Sequence, residues 1–146
     1  MGDTLMEDKK QVLQRGADLL GTLLLPYGFA FEVLGAGRCS GGDFAFGNFR
    51  HGDRRIELHF RDSLGMVRYL LGSSSMTHEN YMYAVLGAWH ASRYPGFSSD
   101  PMDGFRDLLS DLKDYGSDFV SGTDDCLSRR IEEANLLAKS RPLLPD

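Results

Sequence analysis

The chain has 146 residues, 42% of them hydrophobic and 25% charged, with a formal net charge of −5. That length fits one domain with a core of its own, and the composition excludes a disordered or fibrous chain. The acidic balance argues against nucleic acid as a partner. The opening residues are polar and mixed in charge, and the longest apolar run, 19–25, is too short to cross a bilayer. A cytoplasmic location without membrane contact follows as the expectation, with Cys39 and Cys126 as free thiols in no metal or redox spacing.

Thr4 and Glu7 have the spacing of a capping box, which predicts a first helix starting there. Leu5, Met6, Val12, Leu13, Ala17, Leu20, Leu23 and Leu24 then recur at three and four, giving one buried stripe that Pro26 and Gly28 terminate. Residues 29–34 alternate as a first strand, and a glycine-rich loop over 35–42 follows. Alternation resumes from 43 to 72, reversing at Gly52-Asp53 and again at 62–65. Pairing about Gly52-Asp53 sets Phe49 opposite Ile56, Gly47 opposite Leu58 and Ala45 opposite Phe60 on the apolar face. The other face receives Arg50, Arg55, Asn48, Glu57, Phe46, His59 and Arg61, and the next strand adds Arg68 opposite His59.

Residues 73–75 read as a loop before an N-cap at Thr77 and a helix over 78–91 with Tyr81, Met82, Val85, Leu86 and Trp89 inward. Tyr94-Pro95-Gly96-Phe97 is a turn, and Asp100-Pro101 opens a helix burying Phe105, Leu108, Leu109, Leu112 and Tyr115 up to Gly116. A last helix over 124–140 buries Leu127, Ile131 and Ala134, with Arg129 and Glu133 spaced to pair, and 141–146 is a tail. Strands and helices are segregated, which predicts a single α+β domain: an N-terminal helix, a four-stranded antiparallel meander, and three helices on one face.

None of the patterns for catalysis is complete. The loop at 35–42 lacks the lysine and following helix of a phosphate-binding loop, and His78-Glu79 lacks the second histidine of a zinc helix because position 82 is Met. No metal or cofactor is therefore expected. Glu57 and His59 share a strand face with Arg55, Arg61 and Arg68, a set that fits an acid/base pair beside an anion clamp or a solvated charge ladder. Residues 100–125 hold eight acids against Arg106 and Lys113. Asp103, Asp107, Asp111 and Asp114 fall on one side of their helix, which fits either a solvated face or a docking surface for a basic protein. Tyr94 and Phe97 flank a rigid turn and are candidate anchors for the same partner.

The stretches GDRRIELHFRDSLGMVRYLLG, THENYM and YPGFSSDPMDGFRDLLSDL, within residues 20–122, resemble a family of small uncharacterised bacterial cytoplasmic α+β proteins. That family is similar in style to the immunity proteins of polymorphic toxin systems. The resemblance implies a non-enzymatic binder that occludes one toxin. The leading expectation is thus a protein-binding module using Asp103, Asp107, Asp111, Asp114, Tyr94 and Phe97 on a basic partner. The alternative is a small-anion-binding protein or enzyme using Arg55, Glu57, His59, Arg61 and Arg68. A homo-oligomer joined through the C-terminal helix and tail is a third.

Overall fold

The structure is a computed structural model that describes residues 9–39, 42–61, 64–87 and 100–140. Helix α1 (Lys9–Leu24) buries Val12, Leu13, Ala17, Leu20 and Leu24, the three-and-four stripe legible in the sequence. The capping box at 4–7 lies outside the described residues. A 3-10 turn, Leu25–Tyr27, carries Pro26, and Gly28 ends it at φ 95, a left-handed conformation that a residue without Cβ adopts freely.

Five strands follow as one antiparallel sheet in sequence order: β1 (Ala30–Cys39), β2 (Gly42–His51), β3 (Arg54–Phe60), β4 (Leu64–Leu71) and β5 (Ser74–Thr77). The β2–β3 register is the one the Gly52-Asp53 turn dictates, with Ala45, Gly47 and Phe49 opposite Phe60, Leu58 and Ile56. Three expectations need correction. The sheet has five strands, not four: Gly72-Ser73 is a two-residue reversal, and Ser74–Thr77 pairs with β4. β1 runs on through the glycine-rich stretch after an irregularity between Val33 and Gly35. The ring of Phe46 lies so close over Gly35, and that of Phe44 over Gly37, that a Cβ there would meet it at 2.8 and 3.0 Å. Cross-strand rings thus replace the side chains those glycines lack. Finally, Arg68 pairs with Glu57 rather than His59, because β3 and β4 pair closer to their connection than expected, Phe60 with Leu64, and the one extra β4 residue before Val67 makes up only part of that difference.

Helix α2 (His78–Leu86) is capped by Thr77, whose Oγ1 accepts from Asn80 N at 3.2 Å. It ends at Leu86, five residues before the expected end, with Gly87 as its cap at φ 71. Trp89, Tyr94 and Phe97 lie outside the described residues. Asp100 Oδ1 accepts from Met102 N at 2.8 Å and starts α3 (Asp103–Tyr115). Phe105, Leu108, Leu109 and Leu112 are buried as expected, whereas Tyr115 is exposed. A short helix, α4 (Ser117–Val120), precedes α5 (Asp124–Ser140), which buries Leu127, Ile131 and Ala134. Glu133 pairs with Arg130 at 2.6 Å, not with Arg129.

The core forms on one face of the sheet. Ala45, Phe49, Ile56, Leu58, Phe60, Val67 and Tyr69 project from the strands to meet the helical stripes. α1 packs on β1 and β2, α2 and α5 pack at β4 and β5, and α3 packs on α1. The α1–α3 approach is close: a Cβ on Gly16 would lie 2.4 Å from the Phe105 ring. Among the described residues no helix is long and apolar enough to cross a membrane.

Candidate binding surface

Alternation along a strand sends every second side chain away from the core. Phe44, Phe46, Asn48 and Arg50 of β2, Arg55, Glu57 and His59 of β3, and Met66, Arg68 and Leu70 of β4 therefore share the face opposite the helices. Phe44 stacks on Phe46 at 6.2 Å between centroids, and Phe46 stacks on His59 at 5.5 Å with 11° between the ring planes. Met66 beside them is 59% exposed and Leu34 on β1 is 48% exposed. Arg68 lies 3.7 Å from Glu57 and donates to Ser75 Oγ at 3.0 Å. Arg50 and Arg61 are exposed and Arg55 is half-buried. Asn48 is buried among them, and among the described residues its Oδ1 has no hydrogen-bond partner.

Glu57 and His59 stand two positions apart on this face of β3, with Arg55 and Arg68 on the same face. Among the described residues, Glu57 is engaged by Arg68 and His59 by the Phe46 ring. What the face offers is flat aromatic area, an exposed thioether and guanidinium groups. Every basic residue between 30 and 77 is arginine, and none is lysine. Rings, methionine and arginine with lysine excluded is the composition of protein interface centres.

No protein family, curated protein or solved structure matches this chain.

The acidic helix does not present the expected face. Asp111 is buried, and its Oδ2 lies 2.9 Å from His78 Nε2, while His78 Nδ1 lies 2.6 Å from the Tyr69 hydroxyl. With the proton on Nε2, His78 donates to the carboxylate and accepts from the phenol. Each four-residue step turns about 40° around the helix, so Asp111 drifts from Asp103 toward the apolar stripe beside Leu108. Asp103 is held by Arg106 at 2.6 Å, and Arg106 also reaches Asp100 at 3.0 Å. The backbone N–H of Met102, and then Arg106, hold the Asp100 carboxyl below its usual range. Asp107 is half-buried, which leaves Asp114 as the one fully open acid of the four.

Two neighbouring clusters are structural. Arg54 projects from the core side of β3 and donates to the carbonyls of Phe119 (2.7 Å) and Gly122 and to Asp124 Oδ1 at 2.9 Å. It fixes the α4–α5 connection beside a cleft of about 550 Å³ lined by Tyr27, His51 and Ser121. Arg130 binds Asp118 at 2.8 Å and the Ala84 carbonyl at 3.2 Å. Burial works against its charge, but the Asp118 hydrogen bond and charge prevail and raise its pKa. The phenol of Tyr81, which donates to the Tyr115 carbonyl, is raised by burial and by Asp118. Among the described residues no three His, Cys, Asp or Glu side chains gather as a metal site.

Proposed function

We propose that the chain is a non-enzymatic protein-binding module, and that it binds through the sheet face opposite its helices. The observation that carries this reading is the Phe44–Phe46–His59 ring array, edged by exposed Met66 and by arginines. Flat rings on a rigid sheet give contact area at small entropic cost, and arginines around them select an acidic partner. The immunity-protein resemblance supports the same class of function. The basic partner expected for α3 has less support, because Asp111 is internal and Asp103 is already engaged by Arg106.

Site-directed photocrosslinking tests the reading. A photoreactive side chain at Met66, and in a separate variant at Asp114, is irradiated in lysate of the source organism. A discrete protein adduct at Met66 that disappears in Arg55→Glu is the expected result. Adducts at Asp114 alone would return the interface to the acidic helix.

A further inference from the structure

Resting on that reading of the sheet face, we infer that the partner engages it by adding an extended strand to the edge of β1 that faces away from β2. The sheet has two edges, and they differ. At β5, Asn135 of α5 donates to the Ser75 carbonyl at 3.0 Å, so a helix lies against that edge. Among the described residues β1 pairs with β2 alone, and its other edge borders a cleft of about 580 Å³. Lys10, Gln11 and Gln14 of α1 form one wall of that cleft, and residues 33–36 of β1 form the other.

An added strand would present alternate side chains to two different surfaces. On the outer side, Gly35 and Gly37 carry no side chains, and the rings of Phe46 and Phe44 lie over them. The aromatic array therefore reaches the edge strand, where apolar side chains of a newcomer would meet it. On the core side the newcomer's side chains would enter the cleft, whose α1 wall is a cation and two amides, the Gln14 amide already donating to Asp18 Oδ1 at 3.0 Å. That wall suits acidic or amide side chains. The occupant with this chemistry is a segment alternating acidic and apolar residues, supplied by a partner protein. A second copy pairing through its own β1 fits less well, since its core-side residues Phe31 and Val33 would meet Lys10 and the glutamines. The irregularity between Val33 and Gly35 splits the edge, and the half from Gly35 onward is the one the rings accompany.

Random peptides displayed on phage and selected against the full chain supply the probes. The expected result is enrichment of sequences alternating acidic and apolar residues. On binding, those amide hydrogens of residues 30–37 that exchange freely in the unbound protein should become protected. Lys10→Glu, a surface change, should weaken these peptides about tenfold, and Phe46→Ala by a similar factor. Peptides that bind while the edge amides keep exchanging would overturn strand addition but leave the face as the binding surface. Edge protection that grows with protein concentration in the absence of peptide would assign the edge to a second copy instead. No enrichment at all would also overturn strand addition, whereas the Met66 crosslink reports on the face independently.

Discussion

Asp111 is the acid that charge counting places on the surface and packing places inside. It shares His78 with Tyr69, which ties α3, α2 and β4 together through one buried imidazole. Asp111→Ala strands a buried imidazole and should cost about 3 kcal/mol, read as a shifted urea midpoint at unchanged slope. Tyr69→Phe removes the donor at Nδ1 and should cost about 1–2 kcal/mol. Charge reversal at Asp111 therefore reports on folding rather than docking, and Asp107 and Asp114 are the acids to reverse. Asp100 behaves differently, being exposed and bound to the Met102 N–H and to Arg106. Its carboxyl is depressed below the ordinary 3.8. Its contribution is thus complete above that value and is lost as pH falls through the lower folded one. Asp100→Ala should lower Tm at neutral pH, and the gap should close as solutions become acid enough to protonate the parent's cap.

Among the elements, the β1–β2 pair is the most exacting. A Cβ on Gly47 would lie 2.5 Å from the Glu32 carbonyl and 2.8 Å from the Phe31 ring. Gly47→Ala must push β1 off β2, and about 1–3 kcal/mol of destabilisation by urea titration is expected. The α4–α5 connection hangs on Arg54, and Arg54→Ala leaves the Phe119 and Gly122 carbonyls without that donor. Faster amide exchange over residues 117–124 should follow, while α1 is unchanged. These elements differ in how far the sequence announces them. β2 and β3 are legible because a Gly-Asp turn fixes their register and alternation assigns their faces. α1, α3 and α5 are legible because their stripes hold period. β5 is hidden because four residues with one apolar side chain, Met76, carry no period, and Gly72-Ser73 looks like any loop. The extension of β1 is hidden because its outer surface is made of rings borrowed from β2. His78 is hidden for a related reason: a polar residue in a buried position is identified only by partners thirty-three residues away at Asp111 and nine at Tyr69.

At the scale of the whole molecule, charge and aromatic area are divided between two sides. The helices from α3 onward carry nine of the 21 acids, and the outer sheet face carries arginines around stacked rings. That division is why a net charge of −5 describes neither surface. If the sheet face binds an acidic partner, complex formation should slow as salt rises, and Arg55→Glu should slow it further at low salt while Asp107→Lys does not. Association rates by surface plasmon resonance against the crosslinked partner decide this. Equal sensitivity of both variants would place the partner across both sides.

The order of elements along the chain also sets when the core can close. The whole sheet is synthesised before α3 and α5, whose Phe105, Leu112, Leu127 and Ile131 cover it. Roughly sixty residues separate the end of β5 from the middle of α5. At ribosomal rates that leaves the apolar sheet face partly bare for on the order of several seconds. A nascent chain stalled before α5 would carry a paired meander with a greasy face and an uncovered β5 edge. Such chains should recruit chaperones or aggregate, making the last helix the step that commits each newly made molecule to solubility.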